Sequence, residues 1–326
     1  MSEQLHFSDK YHRPYLMGIS IILVFLFHLG LFIRRYDGVE LHLLNNFFGK
    51  GHFGVDVFLF LSAYGLSYSI NKNSLKKFYQ NRLARIMPTY IVFLVLCISL
   101  FFNDSWSVAL RYFFSAVTGL SCITIGGFPL IEWYVPSLIF VYAFFPVINW
   151  LSKKIVNYKA GSLSIYLSIC IIALHTILYH SYIGIYQNLS HRIPIILLGS
   201  LCFQFDTKKD NRKIPLIAIL ALFGIFLFHG NYDRVTLAIP AVLYVVGKVQ
   251  KLPLHNIISI IGKYSLEIYL AQVITTKYFM LVYKGDIGHK LVCCVILTIL
   301  LSFVFAYVSR AFKTLLWKLS LRKDKV

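Results

Sequence analysis

Apolar residues along the chain come in long runs separated by short stretches rich in Lys, Arg, Asp and Gly, a pattern that predicts membrane-crossing helices. A hydrocarbon core about 30 Å thick takes about 20 residues at about 1.5 Å each. Runs approaching that length cover 15–34, 53–71, 88–103, 132–151, 162–180, 192–206, 213–229, 232–248, 256–280 and 289–311. A further apolar stretch, 106–127, is interrupted by Arg111 and the pair Gly126-Gly127, and reads as an interfacial or re-entrant element. The pattern predicts an all-α, polytopic membrane protein with about ten transmembrane helices. It divides into an N-terminal segment 1–14, a membrane domain 15–311 and a basic tail 312–326.

The polar breaks set the expected orientation, because Lys and Arg accumulate in cytoplasmic loops. With the N-terminus inside, most of the 32 Lys and Arg residues fall on the inner side, at 10–13, 72–85, 153–159, 208–213, 248–251 and 310–325. Both termini are then cytoplasmic. Residues 1–14 carry Glu3, Asp9, Lys10 and Arg13, and the run behind them is full length without a small-residue cleavage site. It reads as a retained helix, not a signal peptide.

Composition agrees with the pattern. The 326 residues are 58% hydrophobic and only 14% charged, with a mean hydropathy of +0.70, too few polar groups to clothe a soluble fold. Disorder and a secreted disulfide scaffold are excluded as well. The formal charge of +19 is accounted for by orientation and attraction to anionic lipid, so membrane lipids are expected partners and nucleic acid is not. Cys97, Cys170, Cys202, Cys293 and Cys294 lie in or beside apolar runs and Cys122 in a Gly-rich loop, without zinc-ligand spacing, so packing thiols and no metal are expected. Neither an internal repeat nor a matched pair of Gly/Pro-broken helices is visible, which argues against a secondary transporter.

Ionisable residues within the spans need a reason, since a charge at the bilayer centre costs at least about 2.5–3.5 kcal/mol. His28, in LVFLFHLGLF, has apolar neighbours on both sides; it is either hydrogen-bonded between helices or a catalytic base. Asp56 in GVDVFLFLSAYG, Glu132 in IEWYVPSLIF and Arg192 in RIPIILLGS open three other spans at the same expected outer depth. An acid there can orient an imidazole. The competing reading for Glu132 and Arg192 is helix-end charges snorkelling to the interface. His52 precedes Asp56 by four residues and is read as a loop residue. On the inner side, Arg82 and Arg85 just before Pro88 are spaced i, i+3 and can present two guanidinium forks to phosphate, or act only as a positive-inside anchor. Glu267 has Lys263 one turn before it, which suggests an intrahelical ion pair or a site residue.

In order, these segments resemble the integral membrane acyltransferase-3 family, bacterial proteins that O-acylate cell-surface glycans. YLMGISIILVFLFH matches a motif ending in the helix 1 histidine; GVDVFLFLSAYG matches GVDxFFxLSG; FYQNRLARIMP matches FxxRRxxRIxP. WYVPSLIFVYAFFP matches WxxxxLxxxYxxxP, RIPIILLGS matches RIPxFLLG, and IGKYSLEIYLAQ matches GKxSLxIYLxH. The likeness runs over residues 13–275. Three positions depart from the family. Met17 stands where a basic residue usually precedes His28 by eleven positions, which would lie about 16 Å closer to the cytoplasm on the same helix face; Arg13, one turn earlier, is its possible substitute. Asn81, next to Gln80, stands where the basic segment has its first arginine, and Gln272 replaces the late histidine.

The resemblance implies transfer of an acetyl group from cytoplasmic acetyl-CoA, as co-substrate, to a sugar hydroxyl of a glycan acceptor, in a bacterial cytoplasmic (inner) membrane. It implies His28 as general base and Asp56 as its orienting acid, with Arg82, Arg85 and Arg13 binding the CoA phosphates. Glu132, Trp133, Tyr134, Arg192 and Glu267 are the candidates for substrate binding or oxyanion stabilisation, with Ser62 a further donor. The alternatives are a glycan or lipid-linked sugar transporter and a family member that binds glycan without catalysis.

Overall fold

Long apolar runs with few helix breakers fold as helices because in lipid every backbone N–H and C=O must find its partner within the segment. A computed structural model describes residues 11–33, 48, 50–102, 106–122, 132–157, 192–208, 249, 252–282 and 286–323. The described residues are all-helical: α1 (His12–Ile33), α2 (Phe53–Lys72), α3 (Leu75–Phe101), α4 (Trp106–Val117), α5 (Tyr134–Asn157), α6 (Ile193–Thr207), α7 (His255–Lys263), α8 (Ser265–Leu281) and α9 (Ile287–Lys323), with 3₁₀ turns at Lys50–His52 and Leu120–Cys122. Five of these helices are long and apolar enough to cross a membrane, or six if α7 and α8 count as one bent span. The chain is a multi-pass membrane protein. The expected spans 162–180, 213–229 and 232–248 lie outside the described residues, as do residues 123–127 of the interfacial stretch.

Several boundaries differ from the sequence expectation. Pro88, expected at the start of its span, lies inside α3, which begins at Leu75. A buried proline is tolerated there because it removes one N–H from a helix whose other bonds continue on both sides. The basic residues therefore stand on the first turns of a membrane helix, not in a loop before it. The run 256–280 is broken at Tyr264 into α7 and α8. That break puts Lys263, exposed, on α7 and Glu267, buried, in the first turn of α8, so the two do not share one helix as an intrahelical pair requires. At the other end α9 continues to Lys323, making the first part of the basic tail a helical extension, as a stretch without Gly or Pro permits. With 12 residues, α4 is too short to span, in keeping with an interfacial element.

The described residues fall into two compact units. The first takes residues from Met1–Ser20, His52–Ser74 and Val141–Lys263; the second takes them from Ile21–Gly51, Leu75–Phe140 and Tyr264–Val326. In the first, α2 packs along α6, and Gly199 allows the close approach: a Cβ there would run into the Phe60 carbonyl. Small residues at a helix crossing replace the hydrophobic driving force that lipid cannot supply. The same device joins α1 to α7, where Gly18 lies against the Ile258 carbonyl and Gly262 against that of Pro14.

In the second unit α8 packs on α9, with α3 against both. Cys294, Thr298, Phe305 and Ser309 of α9 are buried at helical spacing, and the Thr298 and Thr275 hydroxyls meet at 2.6 Å. The opposite stripe of α9, Val292, Ile296, Leu300, Phe303 and Tyr307, is exposed, as a lipid-facing surface should be. Leu29 and Ile33 of α1 join Phe279 and Cys294 in one apolar cluster, which sets the His28 end of α1 beside α8.

Candidate functional site

Within the first unit, Asp56 lies in the first turn of α2, where the helix dipole favours an anion, and Arg192 caps the start of α6. The α2–α6 packing brings them together: Arg192 Nε stands 3.0 Å from Asp56 Oδ1, with the Asp56 side chain 1% exposed. Arg192 is therefore not a snorkelling helix-end charge. It is the counter-ion that makes a carboxylate tenable at this position, since an unpaired buried charge is far more costly than a paired one. Further along the same two helices the Tyr64 hydroxyl donates to Asp206 Oδ2, and the Ser67 and Ser200 hydroxyls meet at 2.9 Å. Asp206 escaped the sequence reading because it sits at the end of an apolar run, where a charge is unremarkable.

Arg13 belongs to this unit too. Its guanidinium lies against Gly65, where an added Cβ would stand 2.8 Å from Nη2, so the side chain reaches from the first turn of α1 to the middle of α2. His52 ends the 3₁₀ turn before α2 and packs on Phe53, with no side-chain cap hydrogen bond. Ser62 is half-buried.

In the second unit, His28 is half-buried on α1. Its Nδ1 lies 2.9 Å from the Val24 carbonyl oxygen, one turn back on the same helix. A carbonyl only accepts, so Nδ1 carries the proton of the neutral ring and Nε2 keeps the lone pair. The Gln272 side chain of α8 stands 3.5 Å from Nδ1. The residue that replaces the family's late histidine is thus next to the helix 1 histidine, a contact that the sequence flagged only as a departure.

Glu132 is also in the second unit, two residues before α5 and 2% exposed, which removes the snorkelling reading. Its Oε1 accepts from the Val135 backbone N–H at 2.7 Å and from the Tyr269 hydroxyl at 2.9 Å. The first of these bonds satisfies an open N–H at the start of α5. Tyr134 packs edge-on against Tyr269 with ring centroids 5.1 Å apart, and Tyr90 stands in interaction range of the carboxylate. Trp133 is half-buried, edge-on to Tyr134. Tyr269 was missed by sequence reasoning, although it occupies the Tyr of the IYL motif and shares an α8 face with Ser265, Gln272 and Thr276. Glu267 is buried on α8, its Oε2 without a hydrogen-bond partner among the described residues.

Arg82 and Arg85 are on the continuous helix α3, so their i, i+3 spacing does place them on neighbouring positions of one face. Arg85 is exposed; Arg82 is half-buried, its guanidinium 5.8 Å from the centre of the Phe78 ring. Among the described residues no group of three or more His, Cys, Asp or Glu side chains has the geometry to hold a metal.

Comparison with known families gives a match over residues 15–307 to the model described as "Acyltransferase domain". No curated protein and no solved structure matches the chain.

Proposed function

The chain belongs to the acyltransferase-3 family, and from that premise we propose that this membrane acyltransferase moves an acetyl group from cytoplasmic acetyl-CoA to a hydroxyl of a cell-surface or exported glycan. The observation that carries the reading is the fixed tautomer of His28. With Nδ1–H given to the Val24 carbonyl, the lone pair of Nε2 can take the proton of an attacking hydroxyl, as a neutral imidazole base does.

The other assignments follow the motifs. Asp56 enters the reading through its motif alone; its carboxylate is held by the salt bridge with Arg192. Arg82 and Arg85, on the expected cytoplasmic turns of α3, are suited to hold the phosphates of CoA, with Arg13 as a third cation. Glu132, Trp133, Tyr134 and Glu267 offer the acceptors and aromatic surfaces that sugar binding needs. Arg192, Tyr134 and Ser62 carry donor groups of the kind that stabilise an oxyanion. The partners in this reading are the glycan acceptor and membrane lipids, without nucleic acid or metal, and the location is a bacterial cytoplasmic membrane with both termini inside.

The test is thiol release from acetyl-CoA by the purified protein with a panel of glycan acceptors. Wild type should release thiol in an acceptor-dependent manner, and His28→Ala should abolish release while remaining folded. Release that survives His28→Ala would refute the base assignment. Glycan binding without any release by wild type would favour a non-catalytic or transport role, a possibility that the missing basic residue at Met17 keeps concrete.

A further inference from the structure

We propose that the side-chain amide of Gln272 serves both ends of the transfer chemistry: its oxygen holds His28 in one tautomer, and its N–H group receives the charge that develops on the thioester oxygen. This inference rests on the reading of His28 as the base.

Three observations lead to it. First, Nδ1 of His28 is occupied as a donor, 2.9 Å from the Val24 carbonyl. A ring nitrogen that carries its proton cannot accept from an amide N–H. At the 3.5 Å approach of Gln272, the favourable face of the amide is therefore its oxygen, since amide O and N exchange places by a half-turn. Second, Gln272 is fully buried and the other polar end of its amide has no hydrogen-bond partner among the described residues. With the oxygen turned to His28, that end is the NH₂ group. A buried donor left without an acceptor costs about 1–3 kcal/mol, and such groups call for an explanation such as a catalytic role.

Third, the residue is held on a rigid element. The Thr276 hydroxyl donates to the Gln272 carbonyl at 2.6 Å, and the Thr275–Thr298 contact at 2.6 Å ties this turn of α8 to α9. Both functions are thus carried by one short, planar side chain. The donor stands within a few ångströms of the imidazole, where a carbonyl under attack by a hydroxyl activated at His28 would place its oxygen.

The step balances without another reactant. The acceptor oxygen bonds to the thioester carbon as its proton passes to His28 Nε2. The carbonyl π pair moves to oxygen, which accepts a hydrogen bond from the Gln272 N–H. On collapse the C=O bond re-forms, the C–S bond breaks, and the thiolate takes the proton back from His28. The products are an ester and a thiol.

The experiment compares wild type, His28→Ala, Gln272→Ala, Gln272→Glu and Gln272→His, all full length in lipid nanodiscs, by initial rates of thiol release from acetyl-CoA with the acceptor. Removal of one oxyanion donor costs about 10²–10³-fold in kcat, so Gln272→Ala should lose that much with the KM for acetyl-CoA unchanged. Gln272→Glu has nearly the same shape without the N–H group; it should lose at least as much, and it serves if the alanine variant fails to fold. Gln272→His returns a donor and should recover most of the rate, which repacking alone would not produce. Near-wild-type kcat in Gln272→Ala or Gln272→Glu, alongside an inactive His28→Ala, overturns the role of Gln272 and leaves the base standing. Absence of release by wild type overturns the transfer reading and this inference with it.

Discussion

The Asp56–Arg192 pair makes the sharpest energetic prediction. With Nε and Oδ1 3.0 Å apart, the charge centres are roughly 4 Å apart, which corresponds to about 4 kcal/mol at an effective dielectric of 20. Replacing Arg192 by Met leaves a carboxylate that is 1% exposed without its counter-ion; breaking a buried pair in this way costs about 3–5 kcal/mol. Replacing both, Asp56→Asn with Arg192→Met, removes the uncompensated charge as well as the attraction, so the double variant should be no less stable than Arg192→Met alone. The assay is a double-mutant cycle on protein purified in detergent, with unfolding free energies from titration with denaturing detergent followed by circular dichroism. A coupling energy of at least about 2 kcal/mol is expected. Single losses that simply add, with coupling below about 0.5 kcal/mol, would refute the view that Arg192 exists to neutralise Asp56.

Three further outcomes are expected. Gly199→Val should force α2 from α6 at the Phe60 carbonyl and lower stability by about 1–3 kcal/mol, read as reduced thermal stability and folded yield, whereas Val292→Ala, on the exposed outer stripe of α9, should have little effect. Tyr269→Phe removes the donor to Glu132 and should cost about 0.5–1.5 kcal/mol, the net range for a typical intramolecular hydrogen bond, in the same unfolding assay; an unchanged stability would mean that the carboxyl group is satisfied without it. Arg82→Ala should raise the KM for acetyl-CoA severalfold with kcat retained, and an unaltered KM would leave Arg82 as a topological anchor only.

Much of the candidate site was legible as residue identity, and little of it as contact. His28, Asp56, Glu132 and Arg192 stand out in the sequence because an ionisable group between apolar neighbours is conspicuous whatever the fold. Their partners do not stand out. Tyr269 and Gln272 lie on an apolar helix in which tyrosine and glutamine are ordinary, and only the packing of α1 and α5 against that helix gives them significance. Lys263 and Glu267 illustrate the opposite error: a spacing of four predicts a pair on any unbroken helix, and the break at Tyr264 cancels it.

By itself the sequence determined the environment and the secondary structure. Hydrophobic runs must enter lipid, and lipid leaves a chain without strand partners no alternative to the helix, so all-α membrane architecture follows from local composition. The motifs carried the family in the same way, as strings that need no coordinates to be read. Where a helix breaks or continues past a proline depends on what packs beside it. Whether a charge at a helix end reaches for water or for a partner depends on a residue that is distant in sequence, 136 positions away for Asp56 and Arg192. Those choices belong to the tertiary structure, because burial and hydrogen bonding are properties of neighbours in space, and it is there that His28 acquires a defined tautomer and Gln272 something to do.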